Sequence, residues 1–355
     1  RSATELAPND PQYREYLGEF LFLKGDTQEA QVVWAAIAEG DRRTVTNVAR
    51  LSEIYNNFGL FELATQEIAA AVAMDPKDFS LQIRAADLFM RAGKDIESMA
   101  AVEQASLLAN NDEQRELATQ QRIEVLQATD RLEEVTDELW ATLQQTPPTE
   151  IGQWILLARF LQAQQRWAEA DQAIDQALKL QPQSAPALTL AARLAEAGGN
   201  FTRAAEMYRS LVTADRRSRG EHLMNVSRLE FQLGHSDAAL AAAAELIASA
   251  PGNTEHYEFY AQTCFRLGRT EDGLEALRKA VRIDPNQPHL MMALATALSD
   301  QLRTEESIEL YWRAFEKSEE IADKILLTTK LADLYQVTNQ VEQLMQRLER
   351  ERREE

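Results

Sequence analysis

Residues 151–184 read IGQWILLARF LQAQQRWAEA DQAIDQALKL QPQS, and their spacing decides the fold. Trp154, Leu157, Ala158 and Leu161 recur at steps of three and four, which draws one apolar stripe along a helix. Ala170, Ile174, Ala177 and Leu178 draw a second stripe. Gln164, Gln165 and Arg166 between them make a short polar connection, as antiparallel neighbours need. Pro182 stops the second helix, because its ring removes a donor and clashes with the preceding turn.

The pattern repeats along the chain. Ala30, Ala64, Ser98, Val135, Ala170, Ala204, Ala239, Gly273 and Ser307 form one column, mostly of small residues. Gly18, Ser52, Ala86, Ile123, Ala158, Ala192, Ser227, Ala261, Ala295 and Ala332 form a second. Their steps are about 34 residues, a period that means two helices per repeat. Small side chains at fixed places let the two helices of a repeat approach closely. Gly25, Gly59, Gly93, Gly234 and Gly268 share the inter-helix place, where positive φ ends the first helix. Pro76, Pro147, Pro182, Pro251 and Pro285 close the second. One such pair cannot bury its stripe alone, so neighbours must stack.

On these residues the chain resembles the tetratricopeptide repeat family. The opening Trp154, the mid-repeat Ala170 and the closing Pro182 carry the likeness. Leu51, Ser52, Tyr55, Gly59, Ala64 and Pro76 carry it again, as do Tyr257, Tyr260, Ala261, Gly268 and Pro285. The resemblance implies an all-α fold, a right-handed α-solenoid superhelix of about ten stacked helix-turn-helix units. The units fall at 11–44, 45–78, 79–112, 116–149, 151–184, 185–218, 220–253, 254–287, 288–321 and 325–355, as one continuous array. Residues 1–10 align with the close of a repeat, so the expectation is the end of a truncated preceding unit. Three places depart from the pattern. The unit at 116–149 has Val135, Thr142 and Asp130 where others carry alanine or glycine, and extra residues precede Glu116. A second insertion lies at 322–324, and Asp215 to Gly220 replaces a closing proline with a basic cluster.

Composition narrows the function classes. The net charge of −20 disfavours nucleic acid and anionic membrane, whose phosphates need clustered Lys and Arg. No run of about 18 apolar residues exists, so no direct membrane insertion by this segment is expected. The single cysteine, Cys264, falls on an apolar stripe and reads as a buried thiol. The four histidines, His222, His235, His256 and His289, form no ligand set, and no nucleophile or phosphate-binding motif occurs. The expectation is no enzyme, no catalytic residue, no metal and no cofactor.

In the family, the first helix of each repeat lines a concave groove. The resemblance therefore points to the ninth place of each repeat: Glu19, Glu53, Asp87 and Glu124, then Arg159, Arg193 and Arg228. A run of acids would attract a basic segment, and arginines would fork onto carboxylates or phosphates. The same charges could instead bridge adjacent first helices through Arg50, Arg84 and Glu196, and both readings stand open. Phe22, Met90, Phe231 and Phe265 are candidate apolar anchors in that groove. The fifth places hold no Lys and the ninth no Asn, which argues against the family's two-carboxylate clamp. The expected function is a protein-interaction scaffold with protein or peptide partners. Self-association into an oligomer, and service as the recognition arm of a larger enzyme, are the alternatives. The Gln- and Ala-rich helices point to a bacterial origin, the acidic surface to a soluble segment, and the compartment stays open between cytoplasm and periplasm.

Overall fold

A computed structural model describes residues 11–354; the expected repeat end at 1–10 lies outside them. The chain divides into two compact units, residues 1–180 and 181–355. In the first, the described helices are α1 (Pro11–Lys24), α2 (Thr27–Ala35), α3 (Val45–Asn57), α4 (Phe61–Met74), α5 (Phe79–Arg91), α6 (Asp95–Leu108), α7 (Asp112–Ala128), α8 (Leu132–Gln145), α9 (Gly152–Ala163) and α10 (Trp167–Leu180). In the second they are α11 (Ala185–Ala197), α12 (Phe201–Ala214), α13 (Arg219–Gln232), α14 (Ser236–Ser249), α15 (Thr254–Arg266), α16 (Thr270–Ile283), α17 (Pro288–Asp300), α18 (Thr304–Lys317), α19 (Ile321–Val337) and α20 (Val341–Glu354). No strand occurs among the described residues. Within each unit the helices pair into antiparallel hairpins, and each hairpin packs on the next.

Every hairpin turns in the same way. Gly25, Gly59, Gly93, Asp130, Gln165, Gly199, Gly234, Gly268, Leu302 and Asn339 all have positive φ. At each, the N–H of the following residue donates to a carbonyl five residues back, at 2.7–2.9 Å, as in Asp26 to Leu21 and Arg303 to Leu298. These bonds satisfy the last carbonyls of the first helix. Five of the places were readable from glycine. Gly199 shares the role, and Leu302 holds the same conformation with a bulky, exposed side chain.

Where the two small-residue columns meet, the helices touch. Ala86 and Ser98 are fully buried, and the Ser98 hydroxyl donates to the Ala86 carbonyl at 2.7 Å. Ser307 repeats that bond to Ala295 at 2.7 Å, and Ser227 makes its mirror to Ala239 at 2.9 Å. Ala158 and Ala170 are likewise fully buried. In the first hairpin the place is held by Gly18, where a Cβ would lie 2.2 Å from Trp34 Nε1. Trp34 is fully buried, stacks among Phe22, Tyr55 and Phe58, and donates from Nε1 to the Glu15 carbonyl at 3.1 Å.

Second helices stop where proline dictates. α4, α8, α10, α14 and α16 each end two residues before Pro76, Pro147, Pro182, Pro251 and Pro285. The insertions add no loop. α7 and α19 have 17 residues against 13 in α3 and α5, so the extra residues lengthen the first helix by about one turn. Ile123 and Val135 meet where other hairpins place small residues, and α7 and α8 form the loosest hairpin of their unit. A separate cluster of Ile123, Leu126, Leu132 and Phe160 fills the space.

Two outcomes follow from this packing. Ala170→Leu forces a larger side chain into the α9–α10 contact and lowers stability by about 1–3 kcal/mol. Ala168→Leu, on the exposed face of α10, leaves it nearly unchanged, as thermal melts of both variants will read. Leu302→Gly relieves the left-handed backbone at no packing loss and raises stability by about 1 kcal/mol, measurable as a higher denaturation midpoint.

Candidate functional site

The first helices of each unit carry the residues singled out by the ninth-place ladder. In the first unit, α1, α3 and α5 border a cleft of about 400 Å3 lined by Glu15, Thr46, Arg50, Glu53, Ile54, Asn57 and Arg84. Arg50 pairs with Glu15 at 2.6 Å, and Arg84 pairs with Glu53 at 2.6 Å. Arg84 also donates to the Ala49 carbonyl at 3.2 Å. Arg159 of α9 pairs in the same manner with Glu116 of α7. Glu53, Arg84 and Arg159 thus join consecutive first helices.

The remaining acids behave differently. Asp87 pairs with Arg91 one turn along α5 at 3.0 Å, and Glu124 accepts from Gln120 Nε2 at 2.9 Å within α7. Glu19, half-buried on α1, makes no ion pair among the described residues. Among the apolar anchors, Met90 is half-buried against the core of this unit. Phe22 turns into the core as well, 5.0 Å from the Phe58 ring and 5.7 Å from Trp34. Its ring serves the hairpin, because Gly18 leaves room for Trp34 beside it.

In the second unit one carboxylate joins three helices. Glu196 of α11 pairs with Arg228 of α13 and accepts from the Tyr208 hydroxyl of α12 at 3.0 Å. Burial, then the bond to Glu196, pushes the Tyr208 hydroxyl up to about 12. Arg228 also donates to Asn225 Oδ1 at 3.3 Å, while Arg193 stands exposed on α11. Beside Arg228 lies a cleft of about 240 Å3 between α13 and α15. Met224, Asn225, Ser227, Arg228 and Phe231 line it from α13, and Phe259, Gln262, Thr263 and Arg266 from α15. The Arg266 guanidinium lies over the Phe231 ring, 6.0 Å from its centre. Phe265 does not join this cleft. Its ring fills the space over Gly273, where a Cβ would come within 2.5 Å of it.

This arrangement suits recognition. Arginine, asparagine and glutamine offer donors to carboxylates and peptide carbonyls, and Met224, Phe231 and Phe259 offer an apolar wall. Sequence reading reached Arg228 and Phe231 by their places in the repeat. It missed Asn225 and Phe259, which share the sixth place of their repeats and turn into the cleft. It also gave no signal that Glu116 would reach Arg159, since the bridge crosses 43 residues. Among the described residues no three His, Cys, Asp or Glu side chains could together hold a metal. His222 Nε2 lies 3.1 Å from Asp215 Oδ2, and His235 Nδ1 lies 2.9 Å from Glu230. Cys264 is fully buried, and burial pushes its thiol up, away from reactivity. No described helix is long and apolar enough to cross a membrane.

Residues 155–219 and 227–288 match the tetratricopeptide repeat family model. Those residues fold as tetratricopeptide-like hairpins, and the helices described on either side of them pair in the same order. No curated protein matches its sequence. Among solved structures it is similar to YrrB, described as a TPR protein with an unusual peptide-binding site, at 14% identity over 54% of this chain and 97% of that one, with a TM-score of 0.36. It is similar to MamA at 20% identity over 46% of this chain and 96% of that one, with a TM-score of 0.36. TTC0263, a thermophilic TPR protein of Thermus thermophilus, shares 22% identity over 52% of this chain and 98% of that one, with a TM-score of 0.32.

The bridges across first helices are solvent-touched, with side-chain exposures of 36% and 56% for Arg84 and Glu53. Glu53→Ala therefore lowers stability by less than about 1 kcal/mol. Trp34→Ala removes the fully buried indole and costs about 3–5 kcal/mol. Urea titrations of the two variants will separate these magnitudes.

Proposed function

We propose that the protein is a non-enzymatic scaffold that holds peptide or protein partners against the first-helix faces of its repeats. Tetratricopeptide repeats as a class mediate protein–protein interaction. The observation that carries the finer reading is the cleft between α13 and α15, with Arg228 and Arg266 beside Met224, Phe231 and Phe259. A partner segment with a carboxylate next to an apolar side chain complements it. In the first unit Glu19, Glu53, Asp87 and Glu124 favour a basic segment instead, although Glu53 already answers to Arg84. Arg159 answers to Glu116 in the same way, so the ladder divides between joining helices and meeting a ligand.

Charges in an open cleft are screened over about 10 Å at 0.1 M salt, so affinity falls as salt rises. The test is a random peptide selection on the full chain, followed by titration of the enriched peptides. Enrichment of acidic residues beside Leu, Ile or Phe is expected. Arg266→Glu with Phe231→Ala is expected to weaken those peptides at least tenfold, while Arg216→Glu with Arg217→Glu leaves them unchanged. Equal binding by both variants overturns the assignment of this cleft.

A further inference from the structure

The second helices carry a site of their own. In the second unit a cleft of about 400 Å3 opens between α16 and α18, with one residue contributed by α17. Val281, Pro285, Leu294 and Leu310 give it an apolar lining, and Arg278, Arg282 and Arg313 give it three guanidinium groups. It shares no residue with the first-helix cleft of the same unit.

Two of these three guanidinium groups hold no carboxylate among the described residues, and the third holds one only at a distance. The protein carries 57 acidic side chains against 37 Lys and Arg, so most arginines have a carboxylate at hand. Arg50, Arg84, Arg228 and Arg303 all hold one within hydrogen-bonding range. Of the cleft arginines, Arg278 reaches only Glu306, at 3.9 Å, too far for a hydrogen bond. Arg282 and Arg313 are exposed and make no hydrogen bond or ion pair among the described residues. Arg282 stands in the last turn of α16, where a cation complements the helix dipole. That accounts for one of the three. Arg278 lies a turn further back in α16, and Arg313 lies on the neighbouring α18, a helix that has its own Lys317 at its end.

Glu306 offsets part of the charge of Arg278, and Glu275 lies in the field of Arg282 but is bonded to Lys279, so three guanidinium groups on one opening still attract an incoming anion. Guanidinium forks match carboxylate and phosphate oxygens, and the apolar lining takes an aliphatic side chain between them. We infer that this cleft binds an acidic linear segment of a partner protein, in which anionic side chains flank an apolar one. The site is distinct from the first-helix cleft, so one chain can hold two segments at once.

The test measures fluorescence anisotropy of the full chain with three labelled peptides: Glu pairs alternating with Leu, the same peptide with phosphoserine for Glu, and a Gln-for-Glu control. The acidic peptides are expected to bind at least tenfold more tightly than the control, and their ranking tells carboxylate from phosphate. Arg282→Glu with Arg313→Glu is expected to weaken them at least tenfold, and Arg282→Gln with Arg313→Gln by less. Both residues are exposed, so unchanged melting shows that the fold persists. The titrations are run in the Arg266→Glu, Phe231→Ala background, so that the first-helix cleft takes no share, and acidic peptides that still bind there and are lost when Arg282→Glu and Arg313→Glu are added separate the two clefts. The inference is overturned if the Gln control binds equally, or if Arg216→Glu with Arg217→Glu weakens binding as much. It is also overturned if anionic lipid vesicles or duplex DNA bind through Arg282 and Arg313 while the peptides do not.

Discussion

The close contact between the two helices of a hairpin is the constraint on which the rest depends. It is made at residues twelve apart, such as Ala158 and Ala170 or Ala86 and Ser98, all fully buried. Without bulky side chains there, the helix axes can approach near the lower end of the usual 8–10 Å range. Serine fits as well as alanine because its hydroxyl finds a carbonyl on the facing helix, so no buried donor is left unmade. Larger residues do not fit. Where Ile123 and Val135 stand instead, the hairpin loosens and a second apolar cluster forms beside it. The turn that precedes this contact is equally fixed, since its carbonyls are capped in the same way in all ten described hairpins.

Fixed contacts of this kind leave the outer residues of each helix to vary, and charge is what varies. A chain with a net charge of −20 must place its cations with care. Arg50, Arg84, Arg159 and Arg228 are engaged between first helices, where each meets a carboxylate of the preceding repeat. These pairs are partly solvated, so they add little to stability and more to the order of the face they cross. Glu196 goes further, because it takes a tyrosine hydroxyl and an arginine at once and so ties three helices together. Arg282 and Arg313, which hold no such carboxylate among the described residues, stand at one cleft.

Length changes are absorbed by helices. The extra residues of α7 and α19 extend a first helix by about a turn, which keeps the backbone hydrogen-bonded throughout. The basic stretch that replaces a proline is also held by hydrogen bonds. Asp215 accepts from the backbone N–H groups of Arg217 and Ser218, and Arg219 reaches Glu245 at 2.8 Å. The stretch is therefore a structured turn between α12 and α13.

By itself the sequence determined the helices, their pairing and their ends. Period, small-residue columns, glycine turns and proline stops are all local, and each follows from a steric or hydrogen-bonding rule that acts within a few residues. Ala170, Gly59 and Pro182 could be read in that way without any structure. What only the tertiary structure decided is where side chains of different repeats meet. Phe22 and Phe265 occupy groove places in the repeat, yet Gly18 and Gly273 open room that draws their rings toward the core. Glu53 and Arg159 gain partners 31 and 43 residues away, a choice that no periodicity encodes. The cleft of Arg278, Arg282 and Arg313 was invisible for the same reason. Its three charges come from two helices of different repeats, and only packing brings them to one opening.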